Sequence, residues 1–323
     1  MKILVTGAGG FLGFEIAKML REEGHEVVNF SRQHHSKLDA LQIKTHIGDL
    51  RSVADLENVL KDIEVIFHVA ALAGVWGMKE DFFDINYQGT KNLVNLAIKL
   101  KVKKLIYTST PSVVFGDKPL LGVNETTPYP DTYFTHYAHS KSLAERYVLS
   151  HNGSGLLTCA LRPHLIWGPL DPHIIPRLVE RALKGRLKVV GDGTNLVDVI
   201  HVKNAAHAHL LAFHKLEENS PVAGSAYFIG QEEPVNLWDF INKILVQKKV
   251  KPIKRKVSFK VAYLLGATLE KVYERLKLYH KEPMMTRFVA MQLAHSHYFS
   301  QEKAKIELGY NPLISTEEGL KTL

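Results

Sequence analysis

The sequence predicts a doubly wound α/β fold, a parallel sheet with helices on both faces, followed by a smaller C-terminal lobe. Three observations carry this. Short apolar runs alternate with amphipathic segments through the first half of the chain, the pattern of βαβ units. A glycine-rich turn, Thr6-Gly7-Ala8-Gly9-Gly10-Phe11-Leu12-Gly13, separates the first apolar run from the first amphipathic segment. After Pro169 the alternation loosens into shorter pieces.

Strands are expected at 3–6, 26–30, 44–47, 65–69, 104–108 and 157–161, with helices at 11–23, 53–61, 86–100 and 137–150. Right-handed crossovers between them give the doubly wound topology. Residues 1–170 are expected to form this domain. Residues 171–323 form the smaller lobe over the carboxyl ends of the sheet, with 196–215 returning to the first domain. In the second half, helices are expected at 174–184, 204–215 and 237–247.

The 323 residues are 46% hydrophobic and 23% charged, enough for a large core. The single cysteine, Cys159, lies in the apolar run 156–161 and reads as a core residue. A chain that cannot form an internal disulfide suits a reducing compartment. No signal-like segment precedes the first strand and no apolar run reaches the ~18 residues of a membrane span, so a cytoplasmic location is expected. The net charge of +8 favours anionic partners: a phosphate-rich cofactor, an acidic substrate or a lipid surface. No basic-aromatic motif points to nucleic acid. The basic stretch 248–281 has two readings. It is an amphipathic helix packed on the small lobe, or a contact with a membrane surface that makes the protein peripheral there.

The glycine turn is a dinucleotide fingerprint. Gly7 permits the tight turn, Gly10 the close approach of backbone to pyrophosphate, and Gly13 the contact between helix and strand. The exposed amides around Gly9, Phe11 and Leu12 meet the phosphates. After the second strand, Ser31-Arg32 stands where an acidic residue would bind the ribose of NAD. A guanidinium there suits a 2′-phosphate, with His34, His35 and Lys37 adding positive potential, so NADP(H) is preferred over NAD(H). Asp49, beside Leu50, is placed to meet the adenine amino group or to cap a helix.

Tyr137-Ala-His-Ser-Lys141 pairs a phenol with an ammonium one helical turn away. The lysine is expected to lower the tyrosine pKa, and the tyrosine to pass a proton to a carbonyl being reduced. Tyr87…Lys91 and Tyr273…Lys277 share the spacing, but only Tyr137 both follows the strand that ends at Thr108-Ser109-Thr110 and opens the next helix. Ser109 or Thr110 would hold the substrate oxygen.

With these residues in place, the chain resembles the extended short-chain dehydrogenases/reductases, which share the Rossmann fold. Gly48-Asp49-Leu50, His68-Val69-Ala70-Ala71, Asn86 and Leu161-Arg162-Pro163 match their pattern. The resemblance implies that Ala70, Ala71, Thr108 and Pro163 line the cofactor, that Asn86 organises the active-site helix, and that His164 lies near the nicotinamide. The segments 109–114, 161–169 and 191–198 resemble the 3β-hydroxysteroid dehydrogenase branch. The segments 73–77, 258–263 and 286–293 resemble bacterial 2-alkyl-3-oxoalkanoate reductases of long-chain olefin biosynthesis.

That narrower resemblance implies reduction of a 2-alkyl-3-oxo acid, a lipid-like substrate. Trp76, Met78 and Trp167 would line an acyl channel, and His164, His173, Arg177 or Arg287 would meet the carboxylate. A 3β-hydroxysteroid, a sterol 4-carboxylate or a nucleotide sugar is the alternative substrate, and a nicotinamide-binding regulator or scaffold the non-enzymatic alternative. A homodimer or a complex with a pathway enzyme is compatible with either. The 17 histidines lack partners at ligand spacing, so no metal is expected.

Overall fold

The computed structural model describes residues 1–116 and 118–323. Seven parallel strands form the central sheet, in the order Ala226–Ile229, Leu157–Pro163, Lys104–Thr108, Val65–His68, Lys2–Thr6, Glu26–Ser31, Lys44–Ile47. The order reverses at Lys2–Thr6, which opens a crevice at the carboxyl ends on either side of the glycine turn.

The sheet divides two cores by residue parity. Ile3, Val5, Val65 and Phe67 face the helices Phe11–Glu22 and Val202–Lys215. Leu4, Ile66, Leu105 and Tyr107 face Val53–Val59, Gly89–Lys99 and His136–Ser150. Cys159 is fully buried in the first of these cores.

The two halves of the chain exchange elements. Val202–Lys215 and Ala226–Ile229 belong to the large sheet and its covering layer although both lie beyond residue 170. Conversely, Leu120–Val123 joins the small lobe, pairing with His297–Phe299 in a four-stranded sheet with Leu196–Val197 and Val235–Asn236. The helix expected at 86–100 begins earlier, as Lys79–Phe82, passes through a π turn, Phe83–Gln88, and runs on as Gly89–Lys99. That turn carries the Asn86 side chain to the backbone of Leu72.

The basic stretch forms a helix, Phe259–Arg275, whose N-cap Ser258 accepts from Val261 N. It packs along Arg287–Ala294; a Cβ on Gly266 would lie 2.5 Å from the Thr286 carbonyl carbon. Among the described residues no helix is long and apolar enough to cross a membrane.

Candidate active site

The glycine turn is built by close approach. Gly7 adopts φ +74° and donates its amide to Phe30 O at 3.0 Å. A Cβ on Gly13 would lie 2.2 Å from Gly7 O, so no side chain fits between helix and turn. The helix Phe11–Glu22 starts from Gly10 with no side-chain cap and no acidic residue in its first turn. Its first amides and the positive end of its dipole are therefore open to an anion, and the turn fits a dinucleotide pyrophosphate. Leu12 points into the core, so only its backbone can meet a ligand, whereas Phe11 is half-buried. The His35 ring lies across Gly9, and Lys37 Nζ reaches Gly10 O at 3.4 Å.

A buried chain of hydrogen bonds ties this turn to the next strand end. Thr6 Oγ1 accepts from Val69 N and Ala70 N, both at 3.1 Å, so its proton goes to His68 Nδ1 at 2.8 Å. His68 Nε2–H then donates to Thr90 Oγ1, which donates to Asn86 O. Burial lowers the His68 pKa to about 3, consistent with this neutral tautomer. Ala70 and Ala71 follow, with Ala70 against Gly7 and Ala71 exposed.

Beyond the second strand, Arg32 is exposed and has no ion pair or hydrogen bond among the described residues. The Ser31 hydroxyl donates to Gln33 O. Asp49 does not cap the following helix; Ser52 does. Asp49 instead forms an Asx turn and ion pair with Arg51, which lowers its carboxyl pKa, and leaves Leu50 buried beneath.

Tyr137 opens the helix His136–Ser150, capped by Thr135 Oγ1. Burial pushes its pKa up to about 12, and the Thr110 hydroxyl pulls the other way. The expected lowering by Lys141 is not what the geometry provides. Lys141 Nζ donates to Thr108 O at 2.7 Å and lies 4.1 Å from the centre of the Tyr107 ring. It is itself buried, which lowers its pKa to about 7 against the opposing pull of Glu145. The phenol thus holds its proton, the state a general acid needs.

The two candidate hydroxyls part company. Thr110 Oγ1 faces Tyr137 and exchanges hydrogen bonds with Ser112, both at 3.2 Å. Ser109 Oγ is buried with no partner. The Thr108 hydroxyl is bonded to His209 Nε2 at 2.8 Å and its carbonyl to Lys141, so both are engaged. Ser112 joins the cluster without having been singled out from sequence. Two supports were also missed. Ser140 accepts from Asn86 Nδ2 at 3.1 Å, fixing the loop at Leu72 to the Tyr137 helix. Glu145, fully buried, takes both arms of Arg162 at 2.9 and 2.6 Å, locking that helix to the Leu157–Pro163 strand.

The predicted substrate residues scatter. His164 is buried, its Nδ1–H bonded to Asp198 O, and burial lowers its pKa to about 4; it carries no charge for a carboxylate. Pro163, beside it, is buried in the sheet. Trp167 is fully buried in the small-lobe core against His201 and Phe240, not in a channel. Arg177 pairs with Glu282 and Arg287 with Glu270, so both guanidinium groups are engaged. His173 is exposed. Trp76 does lie toward the site. Its ring stacks on Tyr279, meets the edge of Tyr273, and donates to Leu278 O at 3.1 Å. Phe82, edge-on to Tyr137 at 6.5 Å and against Gly77, connects this aromatic cluster to that tyrosine, with Met78 exposed at the rim. A separate groove of about 680 Å³, between Leu237–Gln247 and Thr316–Lys321, holds none of these groups. Among the described residues no cluster of His, Cys, Asp and Glu could hold a metal.

The chain is similar to known proteins along almost its whole length. The chain is 44% identical over 327 residues to a 2-alkyl-3-oxoalkanoate reductase of Shewanella oneidensis, covering 99% of this chain and 84% of the relative. It is 41% identical to the 2-alkyl-3-oxoalkanoate reductase of Stenotrophomonas maltophilia, covering 100% and 98%. The fold superposes on UDP-glucuronic acid 4-epimerase from Bacillus cereus, solved in complex with NAD, with a TM-score of 0.77 and 22% identity over 100% of this chain and 97% of that one. The sequence model of one family matches residues 4–261, from the first strand through the Tyr137 helix into the small lobe. The chain therefore belongs to the 3-beta hydroxysteroid dehydrogenase/isomerase family, and is an oxidoreductase of the extended short-chain type acting on CH–OH and C=O groups.

Proposed function

We propose that this protein is an NADPH-dependent reductase that converts a 2-alkyl-3-oxo acid to the 3-hydroxy acid. The observation that carries the substrate class is the match to two 2-alkyl-3-oxoalkanoate reductases along nearly the whole chain. The uncapped first turn of the helix that begins at Phe11 and the buried Thr6–His68–Thr90 network support a dinucleotide in the crevice, and Arg32, unpaired among the described residues, supports a 2′-phosphate on it. When bound, the reduced nicotinamide supplies the hydride.

This chain's residues supply the rest. Tyr137, protonated at neutral pH, gives its proton to the carbonyl oxygen as it becomes an alkoxide. Thr110, held by the Ser112 amide that its oxygen accepts from, turns its one proton from Ser112 Oγ to the same oxygen. Lys141, held by Thr108 O, sits one turn along the helix to bind the ribose hydroxyls and restore the tyrosine proton. Alkyl chains lie along Trp76, Phe82, Tyr273 and Tyr279. With His164 neutral and Arg177 and Arg287 paired, the carboxylate points to the open rim beside His136 and Lys79.

The test is oxidation of NADPH and NADH with a 2-alkyl-3-oxo acid, a 3-ketosteroid and a nucleotide sugar as separate substrates. The oxo acid with NADPH should turn over fastest. Turnover of the steroid alone would return the protein to the reaction for which its family is named.

A further inference from the structure

The helix Phe259–Arg275 buries only one side. Ala262, Gly266 and Glu270 face the small lobe. The opposite side carries Val261, Leu264, Leu265 and Val272, with Leu276 just beyond the last turn, exposed by 56, 65, 41, 43 and 61%. At 100° per residue these five fall within an arc of about 120°, and they run for about 22 Å along the axis. An apolar stripe of that length on a surface helix is uncovered hydrophobic area that a soluble protein ordinarily keeps small.

Its surroundings are strongly basic. Residues 248–281 hold eleven of the chain's 41 Lys and Arg but only two of its 33 acidic residues, so they account for the whole net charge of +8. All eleven are exposed. Among the described residues none pairs with an Asp or Glu carboxylate, although Lys248 Nζ donates to Leu323 O and Lys256 Nζ to Asp192 O, both at 2.7 Å. Lys260 and Lys271 flank the stripe along one side. The same helix end reaches the catalytic mouth: Tyr273 and Tyr279 hold Trp76, beside Phe82 and Tyr137.

We propose that this helix docks the protein on an anionic bilayer surface, the apolar stripe entering the boundary between headgroups and acyl chains and the lysines resting on lipid phosphates. Charge complementarity selects this occupant. A second copy of the chain would bring an equally basic segment against this one, and a neutral apolar partner would leave most of these cations unmatched. The mouth beside Trp76 then opens at the lipid boundary, where an alkylated acid partitions. The docking itself rests on the surface alone and does not depend on the substrate.

The experiment is co-sedimentation of the full chain with vesicles of equimolar phosphatidylglycerol and phosphatidylcholine, and with phosphatidylcholine alone. Binding is expected to the mixed vesicles at low salt, and to weaken at least about tenfold in molar salt. Two double variants, Leu264→Glu/Val272→Glu and Lys260→Glu/Lys271→Glu, should each weaken it at least about tenfold while turnover of a water-soluble substrate and the unfolding midpoint stay at wild-type values. Equal binding to both vesicle types, or none to either, would overturn the proposal. So would light scattering that shows a dimer which Leu264→Glu/Val272→Glu converts to monomer, since a second copy would then be the occupant.

Discussion

Removing the Thr110 hydroxyl separates the two hydroxyls that precede the Tyr137 helix. In Thr110→Val the carbonyl oxygen loses a donor that is fixed by Ser112 and faces Tyr137. Loss of one preorganised donor at a developing oxyanion costs about 2.7–4 kcal/mol, or a fall of about 10²–10³ in kcat. The substitution also removes the cap on the turn Pro111–Val114, which costs about 1 kcal/mol of stability and leaves a folded protein. Ser109→Ala is the contrasting case. Its hydroxyl is buried and unpaired, so removing it relieves desolvation and should raise stability by up to about 1 kcal/mol with kcat unchanged. The assay is steady-state NADPH oxidation at saturating cofactor, beside urea unfolding of each variant. Thr110→Ser should restore most of the rate. If Ser109→Ala fell as far as Thr110→Val, the assignment of the working hydroxyl to Thr110 would be wrong.

Other consequences follow from the same geometry. Arg32→Ala should raise KM for NADPH at least about tenfold and leave NADH nearly unchanged, the loss of one charge-assisted phosphate contact; parallel loss of both would remove the 2′-phosphate assignment. Arg162→Met strands Glu145 as a buried carboxylate and should cost about 3–5 kcal/mol in urea unfolding. Stability should fall as pH drops from about 6.5 to 4. His68 and His297, lowered to about 3, and His164 and His209, lowered to about 4, stay neutral when folded while the unfolded chain takes up protons. Each contributes on the order of 3 kcal/mol, and Asp198, raised to about 7, offsets about one of them by keeping its proton in the fold. A flat unfolding midpoint across that range would contradict the neutral assignments.

The first half of the fold was legible because each strand there is a continuous apolar run bounded by a turn or a charged helix. Ile3-Leu4-Val5 and Val65-Ile66-Phe67 face a core on both sides, and nothing polar interrupts them. In the small lobe the helices near 174–184 and 237–247 were legible but the sheet was not, because its strands are two to four residues long and pair across the chain: Leu120–Val123 meets His297–Phe299, far outside any local window. In the site, spacing and order brought Tyr137, Lys141 and Thr110 together. The sign of the tyrosine shift depends on how deeply the phenol is buried and on where the lysine donates, and neither is written in spacing. The carboxylate partners failed for a related reason. His164, Arg177 and Arg287 are chemically suitable residues whose charge is removed by burial or by Glu282 and Glu270, and those neighbours come from distant segments. Ser140 and Glu145 went unnoticed as supports because their partners, Asn86 and Arg162, are 54 and 17 residues away.

The most direct measurement on the account is turnover of a 2-alkyl-3-oxo acid with NADPH by Tyr137→Phe, with cofactor affinity followed separately by fluorescence. The ring, and with it the contact to Phe82, is retained while the proton is removed. The mechanism predicts a fall in kcat of at least about 10²-fold with NADPH affinity unchanged. Wild-type turnover by the phenylalanine variant would mean that another group protonates the alkoxide and that Tyr137 is not the acid.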